Sequence, residues 1–345
     1  MSLKRLFFGI FLLTTFLNHG CPQQDISTAI TGDYLGEVPP GRNAKIFAPA
    51  LVSTIFNEDG SPIFTPDGNE IFWRISGSPF STFVSMKRNN GVWSRPEIAS
   101  FSGQYQDAAL SISPDGKKIY FASKRPKTGT EGLSKFNTWM TEKINDEWQA
   151  PLPVGEPIDH PDDYYTRVSV AADGTLIKQS KEPDGKGGWD LFVCRMIDGK
   201  YTEQQNLSGP VNTEYNEYAP QISSDGTFIV FQSDDYPDSK GGIDLFVTFK
   251  MSDNTWSNGI NLGNAVNTNF VEKWPTITPD GKYLFFTSDR PAEVKYAQYS
   301  IQKKNLEEIE TLYEFFHSQK YQPTWGDIYW VEAQVIEDLK PHELK

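Results

Sequence analysis

One short phrase recurs five times along this chain: a run of small residues, a Pro-Asp-Gly-like corner, and a run rich in aromatics. The copies are SPIFTPDGNEIFW (Ser61 to Trp73), ALSISPDGKKIYFAS (Ala109 to Ser123), RVSVAADGTLIKQS (Arg167 to Ser180), APQISSDGTFIVFQS (Ala219 to Ser233) and WPTITPDGKYLFFTS (Trp274 to Ser288). Their corner aspartates, Asp67, Asp115, Asp173, Asp225 and Asp280, lie 48, 58, 52 and 55 residues apart. A period of that size marks an array of like supersecondary units. Each copy predicts two antiparallel strands joined by a two-residue Asp-Gly turn, with glycine supplying the positive φ.

A third alternating segment follows each hairpin, at FVSMKR from Phe83, TWMTEK from Thr138, DLFVCR from Asp190, DLFVTFK from Asp244 and DIYWVEA from Asp327. A fourth strand is expected near Trp93, Trp148, Tyr201 and Trp256. Four short strands per unit is the layout of a β-propeller blade, so the fold class is all-β. Side-chain size gives the same order independently. First strands carry Ala108, Ala109, Ser169, Ala219 and Ser223, whereas later ones carry Phe121, Phe231, Phe285, Phe286 and Trp330. A blade is a wedge crowded at the axis, so small residues belong inside.

The fifth unit has no fourth strand after Asp327 to Leu339. KIFAPALVST, from Lys45 to Thr54, resembles the fourth-strand endings QQNLSGPVNT (Gln204 to Thr213) and GINLGNAVNT (Gly259 to Thr268). It is therefore expected to pair with the last blade, closing the ring and removing the sheet edges that invite aggregation. This predicts five blades. A six-bladed alternative needs three more strands from Gln23 to Asn43, which is short and rich in Gly and Pro. The five units resemble the Pro-Asp class of WD-like repeat found in TolB-like propellers and in bacterial envelope lipoproteins. The resemblance covers roughly residues 45 to 340. It implies a fold and an envelope setting; familiar TolB-like domains have six blades, one more than is counted here.

The N-terminus reads as an address. Lys4 and Arg5 precede a twelve-residue apolar run, Leu6 to Leu17, too short to span a bilayer comfortably and suited to a secretory signal. The step Gly20-Cys21 resembles a lipoprotein cleavage site, which implies lipidation at Cys21, although Asn18 stands where that pattern has leucine. The expected organisation is a signal peptide over 1–20, a linker over 21–44 and the propeller over 45–345, with an insertion at 292–324. Within the insertion, Leu306, Ile309, Leu312, Tyr313 and Phe316 recur at helical spacing and predict an amphipathic helix, either a lid, a docking element or rim decoration.

The chain has 32 Lys+Arg against 45 Asp+Glu, a net charge of −13, which argues against nucleic acid as a partner. Eight residues before each corner aspartate stand Asp59, Asp107, Tyr165, Glu217 and Glu272. Two readings apply to the four acids: they cap backbone N–H groups in a repeated loop, or they ring one mouth of the central channel and bind a cation such as calcium or a sugar. Arg125 and Arg290 are expected on the same face, either paired with the acids or free to grip an anion. Of four histidines only His160 lies in a blade connection, and no GxSxG elbow, Cys-His pairing or phosphate-cradling loop is present, so no metal site, cofactor or catalytic set is assigned. The expectation is a non-catalytic binding or assembly module, lipid-anchored in the periplasm or at the outer membrane, with an envelope protein or a glycan as partner. The alternative is a glycan hydrolase using carboxylates at the channel mouth.

Overall fold

The computed structural model describes residues 29–345 apart from 55, 78–80, 128–134, 160–164, 182–184, 208 and 292–325. The signal segment, Cys21, His160 and the 292–324 insertion thus lie outside the described residues.

Five antiparallel sheets follow one another in chain order and form a five-bladed propeller. Blade 4 shows the unit plainly: Asn216–Ile222, Phe228–Asp234, Asp244–Phe249 and Ile260–Asn261 pair in sequence order. The fourth strands of blades 1 to 4 begin after the expected aromatics, at Glu97–Ile98, Leu152–Pro153, Gln205–Asn206 and Ile260–Asn261. Trp93, Trp148 and Tyr201 instead sit in small outer hairpins ahead of those strands.

The ring closes as the sequence predicts. Lys45–Ile46 is the fourth strand of blade 5, with Lys45 opposite Trp330 and Ile46 opposite Tyr329. Phe47, fully buried, follows at once and meets Phe285 and Trp330 of blade 5 and Phe64 of blade 1 edge-on. Such ring contacts add about 0.5–1.5 kcal/mol each beyond burial. The segment read as a linker also joins this seam. Tyr34 packs on Phe64, Tyr283 and Trp330, and Leu35 is buried with them. At the other end Val335 and Ile336 tuck against blades 4 and 5.

The corner is a different turn from the one expected. A two-residue type I′ turn needs positive φ at both central residues. Here only the glycines, such as Gly68 (φ +66°) and Gly116 (φ +71°), are left-handed, and the aspartates are not. Four of the corners are four-residue loops, closed as by the Ser113 N–H on the Lys118 carbonyl; in blade 3 the Ala171 N–H donates to the Thr175 carbonyl and leaves three residues. In blade 2 the Ser113 hydroxyl donates to Asp115 at 2.6 Å, the Lys117 N–H donates to the same carboxylate at 3.0 Å, and the Lys118 N–H donates to Ser113 Oγ at 3.0 Å. Thr65-Asp67, Ser223-Asp225 and Thr278-Asp280 repeat the hydroxyl-to-carboxylate bond. The repeated aspartate therefore staples a turn, which explains its recurrence without any chemistry.

Candidate functional site

The loops that lead from one blade into the next obey a local rule. Thr213 donates its N–H and its hydroxyl to the two oxygens of Glu217, four residues on. Thr268 does the same to Glu272, at 2.8 and 2.7 Å. In blade 1 the partner of Thr54 is Glu58, at 3.2 and 2.5 Å, and Asp59 is the next residue. Counting back from the corner aspartate misplaces the position because the stretch from Glu58 to Asp67 is one residue longer than that from Glu217 to Asp225. The spacing Thr-x-x-x-Glu, present at 54/58, 213/217 and 268/272, carries the signal that the turn count lost.

Asp107, Glu217 and Glu272 are all fully buried. Asp107 accepts from Ser102 Oγ at 2.6 Å and from Arg125 at 3.2 Å, and Glu272 accepts from Ser288 Oγ at 2.8 Å and from Arg290 at 2.9 Å. The two arginines are held against rings of their own blades, Arg125 over Phe121 and Trp139 and Arg290 over Phe286 and Tyr329, and each also donates to a loop carbonyl. Blade 4 has no such arginine; the Tyr236 hydroxyl donates to the loop carbonyl of Pro210. Burial pushes the Glu217 carboxyl up to about 7, against the pull of its Thr213 bonds. Glu58 is pushed well above the usual range, by burial and by the nearby Asp327 charge.

Asp59 has a different setting, at the channel mouth. Lys273 lies 2.7 Å from Oδ1, Trp274 Nε1 donates to the same oxygen at 2.9 Å, and Arg74 approaches Oδ2 at 3.4 Å. Arg74 also donates to the Tyr165 hydroxyl and stacks on its ring. Burial would raise the Asp59 pKa, but Arg74 and Lys273 together hold it below the usual carboxylate value. Trp274 takes the axial position that alanine takes at Ala109 and Ala219, all three with left-handed φ at a bulge. The bulge turns an N–H toward the preceding blade, where Gln179 accepts from Ala219 and Gln232 accepts from Trp274, both at 2.7 Å. Trp274 packs with Tyr165, Phe136 and the axial alanines and fills this end of the channel.

The opposite mouth, encircled by the Asp-Gly corners, opens into a cavity of ≈ 970 Å³ lined by all five blades. Its lining includes the apolar Ile63, Ile112, Ile222 and Ile277, and its acids Asp225, Asp280, Glu332 and Glu337 outnumber Arg42 and Lys282. Gln221, part of this wall, holds the side chain of Arg167. The guanidinium is fully buried, donating through Nη1 to the Pro275 carbonyl at 2.8 Å and through Nη2 to Gln221 Oε1 at 3.2 Å. Sequence reasoning passed over Arg167, since it stands in a repeat position that holds no charge in the other blades. Among the described residues, no group of three or more His, Cys, Asp or Glu side chains is placed to hold a metal ion.

Solved structures similar in fold include TolB from Acinetobacter baumannii, with a TM-score of 0.44 and 16% identity, covering 66% of this chain and 48% of that one. Others are the putative TolB from Agrobacterium tumefaciens (0.42, 17%, 68% and 71%) and an α-L-arabinofuranosidase from Lactobacillus brevis (0.46, 15%, 70% and 86%). At these values the likeness is one of propeller architecture alone. This chain spans about half the length of the A. baumannii TolB. No family model matches the sequence, and no curated protein matches it.

Proposed function

We propose that the protein is an exported, lipid-anchored propeller of the Pro-Asp WD-like repeat type that binds a protein or glycan at the cell envelope and catalyses no reaction. The observation that carries this reading is the engagement of the four candidate acids. Asp107, Glu217 and Glu272 are buried in their own loops, and Asp59 is bound by Arg74, Lys273 and Trp274. A glycosidase needs two carboxylates in unlike environments facing one open site. The address at Leu6 to Leu17 and the Gly20-Cys21 step support export and lipidation. A ring with one filled mouth and one open mouth offers its open face for binding.

The test is a pull-down from solubilised envelopes with the mature protein, run beside a hydrolysis assay on a panel of arabinan, xylan and peptidoglycan fragments. Recovery of a partner with no sugar release is the expected result. Release of reducing sugar that is lost in Asp59→Asn would overturn the reading in favour of hydrolysis. Cys21→Ser should move the protein from the membrane to the soluble fraction; continued membrane retention would remove the lipid anchor.

A further inference from the structure

Two junctions between blades share one arrangement of side chains, and one of the two lacks its acids. Between blades 1 and 2, Glu70 stands buried at the start of a second strand. Lys87 of its own blade reaches its carboxylate at 3.2 Å, Lys143 of blade 2 reaches it at 3.3 Å, and Trp148 Nε1 donates to it at 2.9 Å. Asp146, in the turn before Trp148, meets the same two lysines at 3.3 and 3.0 Å. Two cations and two carboxylates thus close a neutral cluster around the indole N–H.

The junction between blades 3 and 4 keeps the backbone and changes the charges. Thr175 holds the place of Glu70, since its carbonyl accepts the Ala171 N–H as that of Glu70 accepts the Thr65 N–H. Arg195 holds the place of Lys87, each giving its N–H to a hydroxyl seven residues on, Thr202 or Ser94. Lys250 is paired across a hairpin with Trp256 as Lys143 is with Trp148. Asn254 takes the place of Asp146, two residues before the tryptophan and left-handed like it, with φ +66° against +67°. Both cations and the indole are kept, and both carboxylates are replaced by neutral residues. Thr175, Arg195, Lys250, Asn254 and Trp256 line one cavity of ≈ 260 Å³, and no acidic residue lines it. Among the described residues, neither Arg195 nor Lys250 has an ion-pair partner, and Trp256 Nε1 has no acceptor. Arg88, the counterpart of Lys250 in blade 1, does have one, Asp33 at 2.7 Å. Two cations facing one cavity repel each other until an anion stands between them.

We propose that this cavity binds an acidic sugar, one uronic-acid ring, whose carboxylate takes the place that the Glu70 carboxylate takes between blades 1 and 2. Arg195, Lys250 and the Trp256 N–H hold the carboxylate, and Asn254, Gln205 and Thr175 bond the ring hydroxyls. The donor set selects a carboxylate because its counterpart already holds one. A volume just under the usual range of about 300–1,000 Å³ for small-ligand sites suits a single ring. The amide and hydroxyl groups of the lining favour a sugar over the acidic side chain of a peptide, which has no hydroxyls to bond them. Ile222 lines both this cavity and the open mouth, so the two adjoin. The inference rests on the reading of the propeller as a binding module and names the glycan chemistry it would take.

The probes are the methyl glycosides of glucuronic and galacturonic acid, each beside its methyl ester, with the N-acetyl α-amide of glutamic acid and glucose 6-phosphate as competitors. Binding to the intact mature protein is followed by calorimetry. At least one acid should bind, and its ester should bind about tenfold or more weakly, as loss of charge-assisted bonds does. No binding by either acid, or equal binding of acid and ester, would overturn the proposal. Tighter binding of the glutamate amide or of the sugar phosphate than of both acids would also overturn it. Thr175→Glu puts a carboxylate where Glu70 stands in the other junction, so it should leave the urea midpoint unchanged or raised and abolish binding of the acid; retained binding would count against the site. Arg195→Gln with Lys250→Gln, one exposed and one half-buried, should keep the fold and erase the preference for acid over ester. An undiminished preference would place the acid elsewhere on the protein. An envelope partner captured equally by wild type and by Thr175→Glu, with no uronate bound, would leave the binding-module reading intact and remove this inference alone.

Discussion

Glu217 and Glu272 hold the same loop position, four residues after a threonine that gives each of them two hydrogen bonds, yet only Glu272 has an arginine at 2.9 Å. Glu217 lies buried without that cation, and its pKa is pushed up to about 7 from a reference value of 4.5. A raised folded-state pKa means that the fold favours the protonated form. The stabilisation is complete below about pH 4.5 and is lost as pH rises through about 7. Glu217→Gln mimics the protonated acid, so its advantage over wild type in urea melts should be absent near pH 4 and reach about 1–3 kcal/mol by pH 8. Asp59 is the opposite case, with a pKa held down by Arg74 and Lys273. Its contribution is present above the ordinary carboxylate range and lost as pH falls through the depressed value. Asp59→Asn should cost about 2 kcal/mol at pH 7 by leaving two cations partly buried and unpaired, with the difference shrinking as pH falls below the ordinary carboxylate range.

The repeat is held together, at the level of the element, by side chains that bond the backbone. In blade 3 the Asn212 amide bonds both the N–H and the carbonyl of Leu191, and in blade 4 Asn267 does so for Leu245. Ser53 takes that place in blade 5, donating to the Ile328 carbonyl at 3.2 Å and accepting its N–H at 3.1 Å. A fragment 275 residues away in sequence thus performs the same task as the local asparagines. At the corners, the carboxylate of Asp115 fixes the Ser113 hydroxyl and the Lys117 N–H. Asp115→Ala should cost about 1 kcal/mol per lost staple, read as a fall in the urea midpoint with unchanged slope, because the turn is exposed and the released groups return to water.

The whole molecule depends on a seam between its two ends. Phe47 is fully buried among rings from blades 5 and 1, so Phe47→Ala should cost about 3–5 kcal/mol and should destabilise the ring as one unit. A single urea transition at lower midpoint is the expected trace; an early separate transition would show that blade 5 opens alone. Much of this architecture was legible beforehand. The period of the Asp-Gly corners, the gradient from alanine to aromatics and the likeness of Lys45 to Thr54 to the other fourth-strand endings determined the all-β class, the five blades and the closure, because short-range pattern and side-chain volume act the same way in every copy. Tertiary structure alone decided the role of Asp59, since one extra residue in blade 1 puts Glu58 in the loop and leaves Asp59 to meet Lys273 and Trp274 from the far end of the chain. It also decided the place of Arg167, whose surroundings come from blades 4 and 5 and whose charge is conspicuous only once the axis exists to bury it. Repetition specifies what neighbouring residues do for one another, whereas a site at the axis is assembled from side chains that no local pattern relates.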